Sequence, residues 1–359
     1  MNPITDKPSS MSRKLSREIT GGIYRAGTKL PGERKLSEYF NVSRNTARIV
    51  LKDFEQAGII ERRPRSGAYV SESAVEIIEK RISSSVLQVF FVMPVCQQVN
   101  PLILSIFTTF MDYADSRVKS NILFLNKITG DLSLPWDNAV IIAFAFEDAE
   151  SLKVLESRAQ KLIVINKKSF DYNYIAPDNY AGGCLMAKYL LENGHYNVGC
   201  LLFKQRHVAY GYDFNTRYQG LKNTLEKGGG NLDVFLIPSK RAENEIEYKK
   251  AADYFFSKDK GVTAIACLSD KMSMYMYSEI YSLGLIIPDQ ISVIGFDDQY
   301  YSQFTCPPLT TVKFPAEALG IKLVNCINEY IDDRTKSIEE EIVPMLINRQ
   351  SVKNISNIM

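Results

Sequence analysis

The chain has 359 residues, 45% of them apolar and 23% charged, with a net charge of +2. That balance excludes a disordered or fibrous chain, and the length exceeds one ordinary domain, so at least two hydrophobic cores are expected. The total charge conceals an asymmetry: residues 1–75 hold 14 Lys/Arg against 8 Asp/Glu, a net +6, which leaves −4 on the rest. Such polarity suits a basic head that meets a polyanion and a body that does not.

No run of about 18 apolar residues occurs, and the start MNPITDKPSSMSRKLSREI lacks the apolar stretch of a signal peptide. A cytoplasmic protein with no membrane partner is expected. Cys96, Cys184, Cys200, Cys267, Cys306 and Cys326 form no CxxC pair and are read as buried reduced thiols. With only His195 and His207 beside them, neither a metal centre nor any other cofactor is expected.

In chain order, Ser12 to Tyr24 reads as a first helix, and a turn around Pro31 and Gly32 leads to a short second one, Glu33 to Phe40. After the break NVS, Ser43 is a suitable N-cap for a third helix whose apolar set Ala47, Val50, Leu51, Phe54 and Ala57 repeats at helical spacing until Gly58. GIIERR and GAYVSE are strand-like and flank the turn PRSG, so three helices and a basic hairpin make a winged helix-turn-helix in residues 1–71. Residues 72–85, polar and serine-bounded, read as a linker.

From 86 to 359 apolar runs alternate with helix-length stretches: VLQVFFVMPV, NILFLN, AVIIAFAF, KLIVIN, NVGCLLF, DVFLIP, TAIACLS and ISVIGFDD. Apolar strands spaced in this way predict an α/β body of parallel sheets covered on both faces, with ligands bound beyond the carboxyl ends of the strands.

On the third helix, Arg44, Arg48 and Lys52 fall opposite the apolar stripe at i, i+4 and i+8. Arg can take guanine, and Asn adenine, through two hydrogen bonds each, so Arg44, Asn45 and Arg48 suit direct readout in a major groove. Ser43 and Thr46 suit phosphates, helped by the amides of the helix start. The segment KLPGERKLSEYFNVSRNTARIVLKDFEQAGIIERRPRSGAYV resembles the GntR-type winged helix-turn-helix over about residues 12–71. The resemblance implies DNA contacts at Arg34, Arg44, Thr46 and Arg48, with Gly67 at the wing tip and Arg65 beside it. Ala68 stands near where that family often has a second glycine.

LGLIIPDQISVIGFDDQYYSQFTCPPLTTVKFPAEALG, Leu283 to Gly320, resembles the LacI/GalR-type effector domain, shaped like periplasmic sugar-binding proteins. The likeness extends through APDNYAGGCLMAKYLLENGHYNVGCLLF and the stretch around Arg217, and a GntR-type head on this body resembles the arabinose-repressor type of regulator. It marks a two-lobed body with a polar effector between the lobes and a homodimeric assembly. Arg217 can hold two sugar hydroxyls, Asp297 can accept two more, and Asn166 both donates and accepts; Ser269 matches a position that often holds Asn. Asp270 is read as a helix cap, and Asp178, Asn179 and His195 as ties between strand ends. Tyr210, Tyr212, Phe214 and Trp136 could stack on a sugar face, and Gln97, Gln98 and Asn100 follow the first strand.

The expectation is a DNA-binding repressor, not an enzyme, whose affinity for a palindromic operator is set by a small carbohydrate. An enzyme would be expected to show GxxxxGK[ST], GxSxG or HExxH, and none is present. Two alternatives stand beside that expectation: a body that binds and turns over a sugar, and a DNA-organising protein whose body only oligomerises.

Overall fold

A computed structural model describes residues 7–64, 66–78, 86–94, 101–125, 139–144, 149–169, 171–204, 214–238, 244–257 and 260–356. The chain divides into two compact units, Met1–Leu87 and Gln88–Met359.

The first unit holds helices α1 (Lys7–Thr20), α2 (Glu33–Tyr39) and α3 (Arg44–Gln56) and the strands β1 (Ile60–Arg63) and β2 (Gly67–Val70). Met11, Leu15 and Ile19 repeat every four residues on α1 and are buried with Leu36, Ala47, Val50, Leu51 and Phe54 in one core. The sequence places α1 at Ser12 to Tyr24, but the helix starts earlier and stops at Thr20. Gly21 and Gly22 follow it, and Gly22 has φ +78°, a conformation glycine adopts without strain. β1 and β2 pair antiparallel, with Ile60 opposite Val70 and Arg63 opposite Gly67. Gly67 has φ +112°, so the wing tip requires a glycine there.

The reading of 72–85 as linker is corrected in its first half. Residues 74–78 are helical, and Ala74 and Ile78 are buried in the head's core. Ser71 fastens the approach by donating its hydroxyl to the Gly58 carbonyl at 2.6 Å. Two apolar side chains in an otherwise polar stretch suffice to fold it back on the head.

The second unit is built on two six-stranded sheets. The first contains β3 (Leu87–Pro94), β4 (Val118–Leu125), β5 (Ala139–Phe144), β6 (Lys161–Ile165), β7 (Asn173–Pro177) and β13 (Glu339–Ile342), in the order β4-β3-β5-β6-β7-β13. The second contains β8 (Asn197–Phe203), β9 (Asn231–Ile237), β10 (Ala264–Cys267), β11 (Ser292–Asp297), β12 (Thr310–Lys313) and β14 (Met345–Ile347), in the order β9-β8-β10-β11-β12-β14. β5 and β11 are buried at every residue, as parallel strands covered on both faces must be. Parallel pairing runs through β8, β9, β10, β11 and β12 and through β3, β5, β6, β7 and β13, while β14 joins β12 antiparallel.

The flanking helices are α4 (Pro101–Tyr113), α5 (Ala149–Arg158), α6 (Asn179–Glu192), α7 (Phe214–Lys227), α8 (Glu245–Phe255), α9 (Asp270–Ser282) and α10 (Ala316–Asp332), with a 3₁₀ turn at Tyr300–Phe304. The chain passes between the sheets three times: from β7 to β8, from β12 to β13, and through residues 343–344 to β14. This is the two-lobed α/β arrangement expected from the alternating runs. β7, β12, β13 and β14 had no such run to mark them. Among the described residues no helix is long and apolar enough to cross a membrane, and no cluster of His, Cys, Asp and Glu could hold a metal ion. Cys200, Cys267 and Cys326 are buried free thiols, but Cys306 is exposed, because it lies just past the surface 3₁₀ turn; Cys96 is outside the described residues.

Two glycines set how closely α6 and α7 approach. A Cβ on Gly183 would lie 2.0 Å from the Arg217 carbonyl oxygen, and one on Gly220 would lie 2.1 Å from that of Tyr180. Only bare backbone fits on either helix. Gly183→Ala is therefore expected to lower the stability of the body by about 1–3 kcal/mol, read as a fall in its urea midpoint; an unchanged midpoint would mean that the helices part at no cost.

Candidate nucleic-acid interface and effector site

The break between α2 and α3 is made by Asn41, whose φ of +52° is left-handed, a region that Asn tolerates better than most residues. Ser43 then caps α3: its Oγ accepts the Thr46 N–H at 3.0 Å and shares a 2.8 Å hydrogen bond with the Thr46 hydroxyl. Thr46 is buried, so both hydroxyls hold the helix start together; this uses the Thr46 amide and leaves those of Arg44 and Asn45 for an anion. Replacing Ser43 by alanine should cost the head about 1 kcal/mol, measurable as a lower melting temperature of the head's transition.

Around this cap lies a cationic surface. Arg44, its side chain 74% exposed, is 4.0 Å from Glu33, which is also 4.0 Å from Arg62 of the wing. Arg62 pairs in turn with Glu55 at 3.0 Å. Arg34 donates to Glu38 at 3.1 Å, and Arg48 donates to the Asn45 Oδ1 at 2.7 Å. Exposed pairs of this kind are worth about 0–1 kcal/mol, so the guanidinium groups can exchange them for phosphates or bases at little cost. Arg63 lies over the Tyr69 ring, 4.3 Å from its centre. Gly67 is at the wing tip, and Arg65 lies outside the described residues.

In the body, three of the four effector candidates meet at the ends of β10 and β11. Arg217, on the first turn of α7, is fully buried. Its Nε donates to the Asn179 Oδ1 at 2.7 Å, and its Nη1 to the Leu268 carbonyl at 2.8 Å and the Asp297 carboxylate at 3.3 Å. Its guanidinium also lies 3.7 Å from the centre of the Phe296 ring. Burial pushes the Asp297 carboxyl up; Arg217 pulls it down, and the nearby Asp270 charge raises it further. The sequence treats Arg217 and Asp297 as open ligand contacts, but here they bond to each other.

Ser269 accepts the Met272 N–H at 3.4 Å as the N-cap of α9. That corrects the reading of Asp270 as the cap. Its carboxylate instead accepts from the Gln299 amide and the hydroxyls of Ser302 and Thr311, at 2.8, 2.5 and 2.6 Å, and burial raises it to about 6. Asp178 caps α6 by accepting the Ala181 N–H at 2.8 Å, and His195 bridges the Thr263 hydroxyl and the Lys353 carbonyl.

The fourth candidate, Asn166, follows β6 of the other sheet with φ +70° and is 2% exposed. Its backbone amide donates to the Ile175 carbonyl at 3.0 Å, but its side-chain Oδ1 is buried with no hydrogen-bond partner. A buried acceptor left in that state carries a desolvation cost that a ligand hydroxyl or amine would relieve. The sequence does not point to Asn179, Leu268 and Phe296 as partners of Arg217; the Asp-Asn step at the start of α6 is the one trace. Phe214 is the first residue of α7, 5.5 Å from the Arg217 guanidinium. Tyr210, Tyr212, Trp136, Gln97, Gln98 and Asn100 fall outside the described residues.

Residues 9–70 match the model of bacterial regulatory proteins of the gntR family, and residues 187–352 match the periplasmic binding protein-like domain. The chain joins a gntR-type head to a periplasmic-binding-protein-like body. The matches coincide with the cationic helix pair and with the lobe that carries Arg217, Ser269 and Asp297. Among curated proteins it is similar to the HTH-type transcriptional repressor PurR of Histophilus somni strain 129Pt, 30% identical over 197 residues, which cover 54% of this chain and 58% of the relative. PurR of Vibrio vulnificus is 32% identical over 183 residues, covering 51% and 53%. The chain thus spans between half and two thirds of the length of these relatives. Among solved structures, a LacI family transcriptional regulator from Enterococcus faecium with bound ribose aligns with a TM-score of 0.60 at 17% identity, over 74% of this chain and 99% of the other. The transcriptional regulator CelR in complex with cellobiose gives 0.60 at 18%, over 90% and 100%. These are likenesses of fold.

Proposed function

We propose that the protein is a cytoplasmic transcription repressor, not an enzyme, in which a homodimer binds a palindromic operator through the heads and a small polar effector, a sugar, binds between the lobes of the body. The observation that carries the reading is the outward face of α3, where Arg44, Asn45 and Arg48 stand exposed around a capped helix start. Arg34, Arg65, Gly67 and the amides near Ser43 and Thr46 fix the position on the duplex, while Arg44, Asn45 and Arg48 read bases. DNA binding belongs to residues 1–71 with the short helix 74–78, and effector binding to 86–359.

The relatives named as repressors support the first half, and the neighbours with ribose and cellobiose support a carbohydrate class. Asn166, Arg217, Ser269 and Asp297 are the effector contacts in this reading, with Asn166 Oδ1 accepting a ligand hydroxyl. For the effector to release DNA it must bind the DNA-incompetent state more tightly, and a coupling of about 1–3 kcal/mol gives a 5- to 150-fold change in operator affinity.

The test has two steps. Selection from random duplexes should return a two-fold symmetric consensus, and a thermal-shift panel of pentoses, hexoses, disaccharides, sugar phosphates and purines should return a ligand. At 100 times its Kd that ligand adds about 2.7 kcal/mol and should change the Kd for the consensus duplex. A ligand that leaves DNA affinity unchanged would sink the regulatory reading.

A further inference from the structure

We infer that Ile49 is a specificity-determining residue that reads the 5-methyl group of a thymine in the operator; the inference rests on the proposed DNA-reading role of α3. Every other exposed side chain of that helix is polar or charged: Arg44, Asn45, Arg48, Lys52, Asp53, Glu55 and Gln56. Ile49 alone is apolar, and 49% of it is exposed. It takes no part in the head's core, which is filled from the opposite side of α3 by Ala47, Val50, Leu51 and Phe54.

Local structure gives no reason for it. A β-branched residue on a solvent-facing helix position is a weaker helix former than Ala, Lys or Gln, so Ile49 does not strengthen α3. Its place on the helix is informative. Ile49 lies one turn after Asn45, rotated by about 40°, and has Arg48 beside it and Lys52 on the following turn. Arg44, Arg48 and Lys52 span about 80° of the helix circumference, and Ile49 lies about 60° past Lys52 and about 40° past Asn45, so the apolar side chain borders the cationic face on the side where Asn45 stands, with Asp53 one turn further on.

On the floor of the major groove the apolar group displayed by the bases is the thymine methyl. An isoleucine brought there with its polar neighbours either meets that methyl or covers a base-edge donor or acceptor without satisfying it, which is costly. It thus discriminates for thymine and against bases that expose polar edges at the same place. One helical turn advances 5.4 Å, against about 3.4 Å per base pair, which puts the thymine within about two base pairs of the base that Asn45 reads.

The experiment uses the full chain and the selected consensus duplex, with each thymine replaced singly by deoxyuridine, which removes the methyl and leaves every hydrogen bond. Fluorescence anisotropy should show Kd rising about 3- to 5-fold at one thymine of each half-site. Ile49→Ala should bind the thymine and uracil duplexes alike, and Ile49→Val should keep part of the difference. Because Ile49 is exposed, the melting curve of Ile49→Ala should match that of the parent. If no thymine responds, or the response persists undiminished in Ile49→Ala, the inference is overturned while sequence-specific binding stands. A selection without consensus would overturn both.

Discussion

Arg217→Ala is expected to destabilise the body by about 3–5 kcal/mol, the cost of leaving a buried charge without its partner. Arg217 is fully enclosed, and its guanidinium is shared among Asn179, the Leu268 carbonyl, Asp297 and the Phe296 ring. Alanine abandons an amide oxygen, a carbonyl and a carboxylate in the buried interior, and opens a cavity beside Phe296. The measurement is the urea midpoint of the body. A double-mutant cycle with Asp297→Asn separates structure from ligand chemistry, because the neutral amide no longer demands a cation and the pair should recover much of the loss. The recovered double variant should still bind the consensus duplex while its affinity no longer responds to the effector. Full stability in Arg217→Ala would show that the pair contributes nothing to the fold, and a normal effector response in the double variant would remove both residues from the site.

Arg44→Ala combined with Arg48→Ala is expected to weaken binding to the consensus duplex by about 2–6 kcal/mol, taking about 1–3 for each arginine that reads a base. Binding to unrelated DNA, which depends on phosphate charge, should fall much less. The folded head should be unaffected, since the 4.0 Å approach of Arg44 to Glu33 and the Arg48–Asn45 bond are exposed contacts. Equal losses on consensus and unrelated DNA would assign both residues to the backbone. Retained preference would move the reading surface off α3.

The head was legible because its signals are local. Ser43 as a cap, the apolar stripe and the glycine at the wing tip each follow from a few neighbouring residues, and all were found where expected. The misjudged stretch, 72–78, depends on Ala74 and Ile78 meeting a core assembled elsewhere in the chain, which periodicity over so short a segment does not reveal. In the body the central strands announced themselves by continuous apolar runs. β13 is EEEI, with Glu340 paired to Lys322 and Glu341 to Lys168, a charged edge strand that looks like loop in sequence and guards the sheet from further pairing. The effector candidates were legible as strand-end residues, but not the bond between Arg217 and Asp297, because 80 residues separate them and only the fold brings the first turn of α7 to the end of β11. The same holds for Asp270, whose three partners lie 29 to 41 residues away.

β13 and β14 are edge strands of different sheets, yet only residues 343 and 344 separate them. Three virtual bonds span at most about 11 Å between the ends of those strands, so along this side the two lobes cannot part. The connection acts as the spine of a book. Any opening of the lobes is therefore smallest near Val343 and Pro344 and largest at the far edges, β4 and β9. A small change in angle near the spine thus corresponds to a larger displacement at the remote edges.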